Sequence, residues 1–136
     1  IQCGRCVRAC REEQVNDVIG YAWRGDAARI VFDQADPMGA SSCVACGECV
    51  QACPTGALLP KSVLDGAGRR AAPPMKEVAS VCPYCGVGCQ VGFRVRDGAI
   101  EEVVGRDGPS NQNRLCVKGR FGFDYIRHPD RLTVPL

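Results

Sequence analysis

Aromatic side chains are scarce, with four Phe, three Tyr and one Trp among 136 residues. A chain of this length makes one ordinary domain or two small ones, and two small ones with so few large apolar groups would have thin cores. No stretch approaches the ~18 consecutive apolar residues of a membrane helix. Net charge is small, at 17 basic against 15 acidic residues, which is too balanced for a nucleic-acid footprint. Histidine occurs once, and His128 beside Pro129 reads as a turn residue. No Ser/His/Asp arrangement, phosphate-binding glycine loop or paired carboxylate site is present. The opening Ile1-Gln2-Cys3-Gly4-Arg5 has neither an initiator Met nor the apolar segment of a secretory signal. The expectation is an internal segment of a longer cytoplasmic protein. Leu132 to Leu136 stop in mid-pattern, which reads as a second cut.

Cysteine, by contrast, is abundant. There are eleven, together with 16 Gly and 9 Pro. Small domains need staples, and the choice lies between disulfides, zinc and iron–sulfur clusters. An odd count excludes complete disulfide pairing. If all eleven were thiolates around three cores of about +2 each, the formal charge would fall from +2 to about −3.

Sliding the chain against itself by 43 residues exposes an internal repeat. Cys3-Gly4-Arg5-Cys6-Val7-Arg8-Ala9-Cys10 aligns with Cys46-Gly47-Glu48-Cys49-Val50-Gln51-Ala52-Cys53, identical at six of eight positions. The second copy carries an additional Cys43. Its counterpart falls one residue before Ile1, so the repeat predicts a cysteine there.

Between the copies, Tyr21-Ala22-Trp23 and Arg29-Ile30-Val31-Phe32 flank Arg24-Gly25-Asp26 and predict two short strands about a turn. Tyr21, Trp23 and Phe32 are expected to pack a small core. Asp36-Pro37-Met38-Gly39 is a second turn. Ala57-Leu58-Leu59 is expected as a closing strand. Residues 63–77, centred on Asp65 to Pro74, read as a linker. Beyond it, Val78 to Val81, the alternating Val91/Phe93/Val95 and Ala99 to Val104 predict strands, the last two joined by an Asp97-Gly98 hairpin turn. Gly105 to Asn113 is a loop, and Lys118 to Ile126 a short helix.

Two cysteine motifs carry the chemistry. Cys43-x2-Cys46-x2-Cys49-x3-Cys53-Pro54 has the spacing of bacterial-type ferredoxins. Closely spaced thiolates wrap a cluster in one tight loop, and Gly47 lets the backbone come near. In two-cluster ferredoxins the fourth cysteine serves the other cluster. Applied here, Cys10, Cys43, Cys46 and Cys49 share one cluster. Cys3, Cys6 and Cys53 share the other, with the fourth ligand expected before Ile1. Structural zinc usually takes two separated CxxC pairs, which the doubled motif fits badly. The first copy has Arg11 where the second has Pro54, which weakens the stop there but removes no ligand. The second motif, Cys82-x2-Cys85-x3-Cys89-x26-Cys116, could by spacing be a zinc ribbon. Gly86 and Gly88 suit close wrapping of a bulkier cluster, and the two motifs upstream make a third electron carrier the more natural reading.

Val81 to Cys89, with Leu115-Cys116-Val117-Lys118-Gly119-Arg120-Phe121-Gly122, resembles the N-terminal iron–sulfur domain of the molybdopterin oxidoreductases. Arg127 to Leu132 and Pro135-Leu136 resemble the entry to their pterin-binding body. With Cys3 to Pro60 upstream, the whole is similar to the catalytic subunits of NAD-dependent formate dehydrogenases. The resemblance implies an α+β architecture. A two-cluster ferredoxin-like domain would cover 1–62, a β-rich 4Fe–4S domain 78–126, and 127–136 would begin the pterin-binding body. It implies three 4Fe–4S clusters, the third on Cys82, Cys85, Cys89 and Cys116, and Lys118 between that cluster and a pterin. It also implies Mo or W on two pyranopterin guanine dinucleotides outside this segment. Electrons would leave formate for a flavin/NAD partner subunit, with no role for nucleic acid or membrane, and this segment alone would hold no active site.

Overall fold

The computed structural model describes residues 2–70, 72 and 76–135. Ala71 and residues 73–75 of the expected linker lie outside the described residues, as do Ile1 and Leu136 at the ends. The chain forms two compact units, Ile1–Ala71 and Ala72–Leu136. Each mixes short helices with a small antiparallel sheet.

In the first unit the sequence repeat is a backbone repeat. Helix α1 (Arg5–Arg8) starts after Gly4 at φ 69°, ψ 7°, and α2 (Glu48–Ala52) after Gly47 at φ 78°, ψ 10°. Both glycines hold the left-handed conformation that a side chain disfavours, so each CxxC turns abruptly into a helix. The copies part company after their last cysteine. Pro54 excludes helical geometry from the residue before it, and Cys53 is extended at φ −75°, ψ 110°. Arg11 imposes no such limit, and α1 runs on into a wide π turn over Ala9–Glu13.

Strands β1 (Ile19–Ala22) and β2 (Arg29–Phe32) pair antiparallel, with Ile19 opposite Phe32. Phe32 packs on the core, as expected. Tyr21 and Trp23 do not; both are more than half exposed. Trp23 leaves the strand at φ 61°, and its ring lies 4.3 Å from the Arg29 guanidinium carbon in a cation–π contact. The expected strand at Ala57 to Leu59 is also absent. Three residues running into Pro60 offer little ladder to pair, and Leu58 reaches the core by its side chain alone. Val63 is buried at the near end of the expected linker. There Asp65 closes a turn by accepting from the backbone N–H groups of Ala67 and Arg69, each at 2.9 Å.

The second unit is a three-stranded meander in the order β3-β4-β5. β3 (Lys76–Val81) pairs with β4 (Gln90–Arg96), and β4 with β5 (Ala99–Gly105). Asp97 and Gly98, at φ 48° and 73°, make the tight turn whose twist suits a hairpin. Arg94 reaches Glu102 at 2.8 Å and Glu77 at 3.3 Å across the sheet. Helix α3 (Val117–Phe121) follows the long loop and is continued by a 3-10 turn at Asp124–Arg127. Val91, Val103 and Leu115 form the buried centre, flanked by Cys82 and Cys89.

Gly105 is where β5 meets that loop. A Cβ there would lie 1.9 Å from the Asn113 carbonyl oxygen. Gly105→Ala is therefore expected to force the backbone apart, at about 1–3 kcal/mol. A thermal melt of the loaded chain checks this, and an unchanged midpoint would contradict the close approach.

Candidate metal centres

All eleven cysteines are free thiols. Their electrostatics group them into three sets. Burial pushes the Cys6 thiol up, and the neighbours that add to the rise are Cys3 and Cys53. Burial pushes Cys49 up to about 12, with Cys46, Cys43 and Cys10 adding to it. Burial raises Cys89 as well, and Cys82, Cys85 and Cys116 raise it further. Like charges act this way only at short range. The structure therefore brings Cys53 of the second copy to the first CxxC, and Cys10 of the first copy to the second. Cys82, Cys85 and Cys89 are joined by Cys116.

The crossing has a local cause in each copy. The helix that starts after Gly4 or Gly47 carries Cys6 or Cys49 in its first turn and leads on to the last cysteine of that copy. Cys6, Cys10 and Cys49 then lie in one buried cluster with Val7, Val18 and Ile19, against which Cys43 packs. Backbone N–H groups turn toward the sulfurs. Val18 donates to Cys10 Sγ at 3.4 Å, and Ala45 to Cys43 Sγ at 3.3 Å. Cys53 is the most favoured thiolate. Burial acts to raise it, but the Thr55 hydroxyl and the N–H groups of Leu58, Thr55 and Ala57 hydrogen-bond to its sulfur. Together they bring it down to about 7. Two of these amides, those of Ala57 and Leu58, come from the segment expected as a strand, which bends around Cys53 instead.

In the second unit, Cys82 to Cys89 are the connection between β3 and β4. Val81 pairs with Gln90, and the Cys82 N–H donates to the Cys89 carbonyl at 2.8 Å. The first three thiols of the motif thus share one hairpin loop. Cys116 sits just before α3. Tyr84, inside the loop, donates its hydroxyl to the Gly122 carbonyl and ties the loop to the end of α3. Lys118 is exposed on α3 and borders a small apolar cavity with Tyr84, Phe93, Phe123 and Tyr125. His128 accepts at Nδ1 from the Asp130 N–H at 3.2 Å, a turn role with no thiol set involved. The sequence reading missed Asn111, a buried amide whose partners are backbone atoms of Gln90, Arg106 and Arg114. An Asn within a Pro-Ser-Asn run looks like any turn residue, so only its position five residues before Cys116 hinted at more.

Among the described residues, no three His, Cys, Asp or Glu side chains converge tightly enough for a single metal ion. No helix among them is long and apolar enough to cross a membrane.

Residues 1–57 match the 4Fe-4S dicluster domain, and residues 75–128 the molybdopterin oxidoreductase Fe4S4 domain. The NADPH-Fe(3+) oxidoreductase alpha subunit of Geobacter sulfurreducens is 39% identical over 136 residues, all of this chain and 15% of its own length. A Staphylococcus haemolyticus protein provisionally named a formate dehydrogenase is 31% identical over 172 aligned residues, all of this chain and 18% of its own length. A Staphylococcus aureus protein of the same provisional name is 32% identical with the same coverage. The chain spans less than a fifth of the curated relatives it matches. Two successive stretches of the chain are thus similar to iron–sulfur domains, first a 4Fe-4S dicluster domain and then a molybdopterin oxidoreductase Fe4S4 domain.

Proposed function

We propose that this chain is the electron-conducting segment of a formate dehydrogenase, linking a Mo or W bis-pyranopterin guanine dinucleotide site to a flavin/NAD partner subunit in the cytoplasm. The single observation that carries the reading is the match of residues 1–57 to a 4Fe-4S dicluster domain and of residues 75–128 to a molybdopterin oxidoreductase Fe4S4 domain. The donor chemistry fits clusters. Thiolate sulfur is the ligand that 4Fe–4S clusters take, and C-x2-C-x2-C-x3-C-P is the run that bacterial-type ferredoxins use.

The ligand sets are Cys3, Cys6 and Cys53; Cys10, Cys43, Cys46 and Cys49; and Cys82, Cys85, Cys89 and Cys116. When bound, 4Fe–4S clusters supply one-electron storage at each set. The chain's own residues hold and tune them. Val18, Ala45, Thr55, Ala57 and Leu58 direct N–H groups at sulfur, which favours the charged ligand. Burial of Cys6, Cys10, Cys46 and Cys49 limits water. Lys118, two residues after Cys116, would supply a cation between the third cluster and a pterin, where it would lower the cost of added negative charge.

In the full-length protein carrying this segment, formate added under anaerobic conditions is expected to bleach the cluster absorbance. Lys118→Met is expected to slow the bleaching about 10- to 100-fold. The Geobacter relative's name favours a second reading, a pyridine-nucleotide-fed oxidoreductase with another terminal substrate. Bleaching by NADPH but not by formate would select it.

A further inference from the structure

We propose that Asn111 is the positioning residue that sets Cys89 against Cys116 for the third cluster. The inference rests on the iron–sulfur reading of that thiol set. Cys89 ends a hairpin loop, whereas Cys116 starts a helix 26 intervening residues later. Something must hold these two backbones in register. Asn111 is 7% exposed. Its Oδ1 accepts from the Gln90 N–H at 2.9 Å. Its Nδ2 lies within hydrogen-bond distance of three carbonyls, Gln90 at 3.1 Å, Arg106 at 3.1 Å and Arg114 at 3.0 Å, which share its two N–H groups.

Gln90 follows Cys89 directly, and Arg114 precedes Cys116 by two residues. One amide therefore grips the chain next to both ligands and also clasps Arg106 at the end of β5. The orientation is unambiguous, because three partners are carbonyls that can only accept and the fourth is an N–H that can only donate. Only an amide of this length supplies that set. Asp offers no donor, Leu offers neither donor nor acceptor, and Gln is one methylene too long. In a site shielded from water, no solvent replaces the lost bonds at small cost.

The test compares anaerobically reconstituted wild-type chain with Asn111→Asp and Asn111→Leu. Three readouts are followed: iron and sulfide per chain, the electron paramagnetic resonance of the reduced clusters, and the chelator concentration that strips each cluster. Asn111→Asp keeps the size and the acceptor. It is expected to hold the third cluster about 10- to 100-fold less tightly against chelator, with shifted g-values for that cluster alone. Asn111→Leu is expected to lose that cluster while the dicluster signals persist. The proposal is overturned if Asn111→Asp lowers the melting temperature but leaves the third cluster's g-values and chelator resistance as in wild type. Loss of all clusters together, or of none, in Asn111→Leu also overturns it. The wild-type control separates this proposal from its premise. Wild-type chain that takes up no iron overturns the cluster reading, and the role of Asn111 with it.

Discussion

Stripped of iron, the chain is expected to lose most of its far-ultraviolet circular dichroism and to regain it on anaerobic reconstitution. The cores are too small for any other result. In the second unit the fully apolar centre is Val91, Val103 and Leu115. In the first, four of the buried residues are themselves cysteines: Cys6, Cys10, Cys46 and Cys49. Helices of four or five residues have no stability of their own. A structural metal in a small domain contributes about 10–16 kcal/mol, while a whole domain is stable by only about 5–15 kcal/mol. Removing the metal therefore removes the fold.

The thiols set the direction of the pH effect. A cysteine of the unfolded, metal-free chain keeps its proton at neutral pH, and in the folded chain burial pushes Cys49 higher still, to about 12. Loading must displace that proton, and protons compete with the cluster more strongly as pH falls. Retention of iron should decline on acidification and not on mild alkalinisation. A circular dichroism spectrum of iron-free chain equal to the loaded one would contradict the account.

The second large effect separates the crossed ligand sets from the uncrossed alternative. Cys10→Ala is expected to abolish the same spectroscopic signal as Cys43→Ala, although Cys10 belongs to the other copy of the repeat. Cys53→Ala is expected to act with Cys3→Ala and Cys6→Ala. Each change should remove a whole cluster's iron, about four atoms where four cysteines hold it. If Cys10→Ala and Cys6→Ala instead silenced one shared signal, each CxxCxxxC would serve its own cluster and the crossing would be wrong.

The elements that sequence could reveal are those with local causes. The 43-residue repeat in sequence is matched by a repeat in backbone, with Gly4 and Gly47 in the same left-handed geometry. Pro54 against Arg11 foretold which copy would stop short. Asp97-Gly98 and the alternation of Val91, Phe93 and Val95 placed the β4–β5 hairpin. The misreadings share a different character. Trp23 and Tyr21 were assigned inward because aromatics favour cores, but a single left-handed residue after Ala22 turned Trp23 out onto Arg29. Ala57 to Leu59 had the composition of a strand and no partner to pair with. Their backbone instead supplies N–H groups to Cys53, a use that side-chain identity does not encode. Asn111 was invisible for the same reason, because its four partners are all backbone atoms brought close by the fold.

The most direct test of the central claim is metal and sulfide analysis of the anaerobically purified chain, together with its visible spectrum before and after dithionite. The account predicts iron and acid-labile sulfide in about equal amounts, about four of each per complete cluster. It also predicts a brown chromophore that dithionite bleaches. Bound zinc without sulfide, in a colourless protein indifferent to dithionite, would contradict it.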